Sequence, residues 1–281
     1  AGDVCLFPTP LESPADSKAD APKYKDLKKC KYVSRTVFNT LIAGKPLTQV
    51  FPKEERIVKK VLLQGGKVLL DESEANALPK NARHDEKIWT IEKRPRVAVG
   101  RAASNSQIYH TGQTVFQDSS GLWFAVRWLN RDDALARVLA ETLADLADAG
   151  LGGKRSVGFG HCRIYLYGTL ELPEANGAHW VSLSRYLPRA DEMNALRKGV
   201  AYAVESVGGW VQSPVKKSER RRAVRMIAEG SVLGRVPRAV PGQVVDVRPN
   251  YDGKQQLEHP VWRSGLALSV GTQTRAPREE A

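Results

Sequence analysis

The sequence predicts an α+β protein whose larger part follows a ferredoxin-like (RRM-like) order, and three observations predict it. Strand patterns occur around Ile88, Trp89, Ile91, Val97 and Val99, again over Gln107 to Phe116, and in the aromatic and β-branched stretch Gly121 to Leu129. An amphipathic helix follows, with Leu135, Val138, Leu139, Thr142, Leu143 and Leu146 on one stripe, and it runs into the glycine-rich stretch Gly150 to His161. The pattern then returns to a strand over Cys162 to Leu172. Strands, helix, glycine loop and strand are the last two-thirds of a βαββαβ unit, so the expected module lacks its first strand and helix.

Taken in order, Ala1 to Pro22 carries four prolines among small and charged residues and reads as an extended arm. Lys23, Lys25, Lys28, Lys29 and Lys31 then form a basic cluster ahead of Ser34, an N-cap for a helix to Gly44 that buries Val37, Phe38, Leu41 and Ile42. Lys53 to Gln64 is a weaker amphipathic helix, and the residues from there to Asp85 carry too little periodicity to assign and fit an insertion. Asn130 is the expected cap of the long helix and Gly150 its C-terminal stop. Beyond Pro173 a second region is rich in short strands: His179 to Leu187, Tyr202 to Val211, Arg222 to Val232, Gln243 to Val247 and Pro260 to Val270, with a short helix at Asp191 to Arg197. Lys216, Lys217, Arg220, Arg221, Arg222 and Arg225 make its strongest basic run, a stripe if carried on a hairpin.

Composition narrows the partners. The 281 residues include 43 Lys+Arg against 31 Asp+Glu, a formal net charge of +12, which favours an anionic partner through its field and through counterion release. Nucleic acid ranks first and an anionic membrane surface second. No apolar run is long enough to span a bilayer and no signal pattern opens the chain, so a cytoplasmic location is expected. Cys5, Cys30 and Cys162 have no paired spacing and read as ordinary thiols.

Within Gly150 to His161, five glycines enclose Lys154, Arg155 and Ser156. Such a loop can turn backbone N–H groups toward a ligand, and its cations select a negative one, a phosphate backbone above all. The loop can equally be a helix C-cap followed by a solvated turn. It is not a Walker A loop, because Asp148 stands where the first glycine belongs and Arg155 follows Lys154. Nor is it a dinucleotide fingerprint, because the helix precedes the loop. His84, His110, His161, His179 and His259 show no metal-ligand spacing, and no nucleophile elbow is present. Metal-independent RNA cleavage would need only a base and an acid near a ribose 2′-OH, for which His161 or His110 with Tyr109 and Lys154 can serve. Phe159 can stack on a base or pack into the core.

Several segments together resemble the RAMP superfamily of CRISPR–Cas systems and, within it, the fourth Csm subunit of type III-A effector complexes. They are CLFPTPL, LKKCKYVSRTVFNTLIAG, the VAVGR stretch ending in Arg101, GLGGKRSVGFG, HWVSLSRYLP, RMIAEGSVLG and HPVWRSGLAL. Gly100 stands where that family commonly has Asp or Asn before the arginine. The resemblance implies two ferredoxin-like modules, here 1–172 and 173–281, with no cofactor and no nuclease centre. It implies a noncatalytic subunit that caps the repeat-derived 5′ handle of the crRNA and touches the large polymerase-like Cas subunit and a backbone RAMP subunit. The residues expected to hold RNA are Lys28, Lys29, Lys31, Arg101, Gly152, Gly153, Lys154, Arg155, Ser156, Gly158, Phe159, Gly160, Arg220, Arg221 and Arg222. The alternative within the superfamily is a metal-independent endoribonuclease that processes repeat RNA; a protein scaffold is a third reading.

Overall fold

The computed structural model describes residues 4–11, 28–52, 54–78, 87–99, 106–130, 132–166, 168–211, 219–251, 254–255 and 257–273. It is a mixed α/β protein that divides into two compact units, Ala1–Leu122 with Pro173–Ala281, and Trp123–Leu172.

The larger unit begins with β1 (Leu6–Pro8), paired antiparallel with β2 (Tyr32–Ser34). Part of the expected arm is therefore sheet. Pro8 is accommodated because β1 lies at the sheet edge, where a missing N–H costs no ladder bond. Phe7 is fully buried and stacks on Phe38 at 4.7 Å between ring centroids. Helix α1 (Arg35–Ile42) starts after Ser34 and buries Val37, Phe38, Leu41 and Ile42, the face that its i, i+3, i+4 spacing predicts. Helix α2 (Leu47–Val50) and α3 (Glu55–Val61) follow, and α3 is shorter than the expected Lys53 to Gln64. Next, β3 (Leu62–Leu63) turns back into β4 (Val68–Leu69), which pairs parallel with β2, and α4 (Glu72–Ala77) is capped by Asp71. The stretch without periodicity thus supplies Val68, Leu69 and Leu70 to the core. Its elements are too short for a period to register.

Cys30 sits in this core with its thiol donating to the Tyr32 carbonyl at 3.6 Å. Burial pushes that thiol up to about 11. Because the folded value lies above the ordinary 9.0, its stabilisation is complete below about pH 9 and is lost as pH rises toward 11. Urea unfolding at pH 8 and pH 11 is expected to show the unaltered chain losing about 2 kcal/mol more than Cys30→Ala.

Two 11-residue strands, β5 (Trp89–Val99) and β6 (Ser106–Phe116), form an antiparallel ribbon in unbroken register from Trp89↔Phe116 to Val99↔Ser106. Alternation places Trp89, Ile91, Val97, Val99 and Ile108 on one face and Glu92, Arg94, Arg96, Tyr109 and Gln113 on the other. Gln64 fixes its base, donating to the Trp89 carbonyl at 2.8 Å and accepting from the N–H groups of Ile88 (2.7 Å) and Trp89 (3.2 Å).

In the C-terminal part, β7 (His179–Ser182) is the centre of a three-stranded sheet. A ribbon of β8 (Val204–Val207) with β11 (Val224–Ile227) continues into β9 (Trp210–Val211) with β10 (Glu219–Arg220). Strands β12 (Val232–Gly234) and β17 (Ser269–Thr272) flank β7. Between them in the chain, β13 (Val244–Asp246) pairs with β16 (Trp262–Ser264), and β14 (Asn250–Tyr251) with β15 (Lys254–Gln255). The expected short helix is a 3₁₀ turn at Ala190–Glu192 followed by a one-turn helix at Asn194–Arg197. Trp180, Tyr186, Ala195, Ile227, Leu233, Val236 and Ala267 make the core, and the Trp180 indole donates to the Gly234 carbonyl at 2.7 Å.

The smaller unit contains the long helix Asp133–Ala149. Its cap is Asp132, whose carboxylate accepts from Ala134 N–H at 2.9 Å, two residues beyond the expected Asn130. Neither Gly121 to Leu129 nor Cys162 to Leu172 forms a strand among the described residues, which corrects both expectations. Propensity makes a segment extended, but a strand also needs a lateral partner for its N–H and C=O groups. The strand-like burial survives without that partner: Cys162 and Ile164 are less exposed than His161, Arg163 and Tyr165.

Candidate nucleic-acid interface

The long helix ends at Gly150, whose φ of 84° turns the chain out of the helix while its N–H still bonds the Leu146 carbonyl at 2.8 Å. The loop that follows is closed at its neck by Leu151 N–H on the Gly160 carbonyl at 2.8 Å. This neck explains two of the glycines. A Cβ on Gly150 would lie 2.9 Å from the Gly160 carbonyl carbon, and one on Gly160, at φ 80°, would lie 2.0 Å from the Leu151 oxygen. Above the neck a 3₁₀ turn, Arg155–Val157, is entered through Lys154 at φ 60° and left through Gly158 at φ 84°. Val157 N–H bonds the Lys154 carbonyl at 3.1 Å and Gly158 N–H the Arg155 carbonyl at 3.0 Å.

The tip of the loop is open. The N–H groups of Gly152, Gly153, Arg155 and Ser156 bond no described residue, and a Cβ on Gly152, Gly153 or Gly158 would have nothing within 4 Å. Lys154, Arg155 and Ser156 are exposed beside these amides, whereas Phe159 is half-buried. Unused donors, two cations and an unobstructed approach together make a cradle for an anion. Neck and tip should separate in stability. Gly160→Ala is expected to cost about 2 kcal/mol or more in denaturant unfolding, and Gly153→Ala less than about 0.5 kcal/mol.

The other cations lie elsewhere. Lys28, Lys29 and Lys31 are exposed around buried Cys30, and Lys31 N–H is held by the Lys67 carbonyl at 2.8 Å. Lys23, Lys25, Lys216, Lys217, His84, Gly100 and Arg101 lie outside the described residues. The ribbon itself carries Lys93, Arg94 and Arg96, which sequence reasoning missed; an unbroken period of two across both strands was the available signal. Arg220, Arg221 and Arg222 diverge rather than act as one stripe. Arg220 lies over the Trp210 ring at 5.1 Å, Arg221 donates to the Gly208 carbonyl at 2.9 and 3.2 Å, and Arg222 donates to the Asp246 carbonyl. Among the described residues no group of three or more His, Cys, Asp or Glu side chains converges as a metal site, and no helix is long and apolar enough to cross a membrane.

Comparison with known proteins bears on this arrangement. Residues 175–272 match the family model of the CRISPR Csm4 C-terminal domain. This segment is similar to the Csm4 C-terminal domain. The chain is also 26% identical over 185 residues to the CRISPR system Cms protein Csm4 of Thermococcus onnurineus (strain NA1), covering 64% of this chain and 53% of that protein. A second Csm4, from Streptococcus thermophilus, is 28% identical over 151 residues, covering 52% of this chain and 47% of that protein. The chain thus spans about half the length of the curated relatives it matches. In fold it is similar to a chain in the crystal structure of the Csm3-Csm4 subcomplex in the type III-A CRISPR-Cas interference complex, with a TM-score of 0.61 at 18% identity over 95% of this chain and 79% of that one. The resemblance to the fourth Csm subunit read from the sequence motifs therefore holds.

Those motifs have structural places within residues 175–272. His179 to Ser182 is the central strand, Arg225 to Ile227 closes the β8–β11 pair, and Trp262 to Ser264 is β16. Pro188 and Arg189 lead to Glu192, a buried carboxylate that accepts from the Tyr186 hydroxyl at 3.0 Å, from Arg189 N–H at 3.0 Å and from Gly242 N–H at 3.0 and 3.2 Å. Burial first, and then the negative charge of Glu192, push the Tyr186 phenol well above its ordinary range. The Tyr186 hydroxyl thus stays a neutral donor to Glu192.

Proposed function

We propose that this chain is a Csm4-type subunit of a type III-A CRISPR–Cas effector ribonucleoprotein, with a noncatalytic role. It binds the repeat-derived 5′ handle of the crRNA and bridges the large polymerase-like Cas subunit to the backbone RAMP subunits. The observation that carries the RNA part is the open tip of the glycine loop, where unused amides stand beside Lys154 and Arg155. The net charge of +12 supports the same partner. The match to the Csm4 C-terminal domain supports the assembly role, as does the likeness to a chain described in a Csm3-Csm4 subcomplex, which makes a Csm3-type subunit the backbone partner. On this reading residues 1–172 and 173–281 are two ferredoxin-like modules.

Phosphate contacts at the loop position the handle, and unpaired bases held elsewhere on the protein give sequence preference. Labelled handle RNA is expected to bind more tightly than a scrambled RNA of equal length and to remain intact in chelator. Equal affinity for both RNAs contradicts handle recognition. Specific cleavage abolished by His161→Ala contradicts the noncatalytic role and establishes the endoribonuclease instead.

A further inference from the structure

The turn that joins β3 to β4 is strained at one residue. Gln64, Gly65 and Gly66 stand in succession at φ 57°, 65° and 87°, and of the three only Gln64 has a Cβ to crowd the left-handed backbone. Leu63 and Val68, both buried and paired across the turn, pin it to the core of the N-terminal sheet. A glycine at 64 would close the same turn without strain. What the side chain does is therefore the reason to look for.

It reaches the first residues of the β5–β6 ribbon. Gln64 Nε2 donates to the Trp89 carbonyl at 2.8 Å, and its Oε1 accepts from the N–H groups of Ile88 at 2.7 Å and Trp89 at 3.2 Å. One primary amide thus gives Trp89 both partners that a neighbouring strand would give, an acceptor for its N–H and a donor for its C=O. Tyr32, edge-on to Trp89 at 6.1 Å between ring centroids, adds a ring contact at the same place. Farther out the ribbon stands in solvent. β5 is half-buried at Trp89 and Thr90 and exposed over residues 91–95, while β6 is half-buried at Val115 and Phe116 and exposed over residues 106–110. A two-stranded ribbon is marginally stable by itself, so eleven paired residues that project in this way depend on what holds their base.

We propose that Gln64 is a latch for the β5–β6 ribbon. Closed, it fixes the direction in which the ribbon carries Lys93 and Arg94 away from the N-terminal sheet. Open, it leaves Ile88 and Trp89 without their partners, and the ribbon frays from its base. The strained backbone at 64 is kept because only a side chain there can reach them. The latch belongs to the chain without RNA and stands apart from the role proposed above.

The test is hydrogen exchange read by mass spectrometry on the full chain, with brief trypsin digestion as a second readout. Gln64→Gly removes the amide and the strain together. It is expected to speed exchange over residues 88–96 and cleavage after Lys93 by about 10- to 100-fold, the loss of two to three hydrogen bonds at a local opening, while exchange in β7 and the urea midpoint stay unchanged. Gln64→Asn tolerates the left-handed backbone but is one methylene too short to reach Trp89, so it should behave in the same way. Gln64→Glu should fall between, because a carboxylate accepts from Ile88 and Trp89 N–H but cannot donate to the Trp89 carbonyl. Should Gln64→Gly fail to fold by circular dichroism, Gln64→Asn carries the same expectation. Unchanged exchange and cleavage in the ribbon of a folded variant overturn the latch. So does exchange that rises equally in the ribbon and in β7, which would make Gln64 a general stabiliser of the fold.

Discussion

Glu192→Ala will destabilise the C-terminal part of the chain by about 3 to 5 kcal/mol, because it removes the common acceptor of three buried or half-buried donors. The Tyr186 hydroxyl and the N–H groups of Arg189 and Gly242 would each lose their partner in a space too enclosed for bulk water to replace the carboxylate fully. Arg238, whose Nε lies 3.6 Å from the same carboxylate, retains Asp191 and so loses less. Glu192→Gln is the informative companion. One amide oxygen can still accept, but the amide nitrogen faces groups that are themselves donors, so an intermediate loss of about 2 kcal/mol is expected. Denaturant unfolding of the full chain measures both. A loss below about 1 kcal/mol for Glu192→Ala would mean that the donors find other acceptors and that Glu192 does not hold the Arg189 and Gly242 segments together.

Elements with a long period were legible in the sequence. Ser34 and the four apolar residues behind it defined α1, and the helix before Gly150 was placed to within about two residues at its start, the usual scatter of helix ends. The β5–β6 strands were also legible as strands, but their union in one ribbon was not, because pairing depends on register rather than on propensity. The two extended segments on either side of the long helix failed for the same reason: Gly121 to Leu129 and Cys162 to Leu172 have strand composition without a lateral partner. Leu6 to Pro8 failed in the other direction. Its prolines suggested an arm, yet Phe7 packs on Phe38 and Pro8 is harmless at an edge.

The site residues divide along a similar line. The glycine loop was legible because its chemistry is local: glycines, cations and the end of a helix lie within a dozen residues of one another. Glu192 was not legible. A glutamate near Pro188 looks like an ordinary surface charge until the fold brings Tyr186 and Gly242 beside it. The basic run at Arg220 to Arg222 shows the converse. Adjacent in sequence, its guanidinium groups go to an indole and two separate carbonyls, so a charge run was not a single surface.

The second large effect concerns the loop. Lys154→Ala with Arg155→Ala removes both cations from the tip and leaves the neck glycines and the Leu151 to Gly160 bond in place. Stability should be kept, since Lys154 and Arg155 are exposed and a helix-side neck rather than the tip closes the loop. Affinity should not. Two charge-assisted contacts to phosphate are worth about 10- to 100-fold in binding. Gly153→Ala, which places a methyl group on the open tip without disturbing the neck, should weaken RNA binding in proportion to how closely a phosphate approaches the backbone there.

The most direct measurement of the central claim is fluorescence anisotropy of labelled 5′ handle RNA against the unaltered chain and the Lys154→Ala, Arg155→Ala double variant across a salt series. The loop account predicts affinity lower by about 10- to 100-fold and a salt slope shallower by about 1.4, two single-strand phosphate contacts. Identical affinity and identical slope in a folded double variant would contradict it.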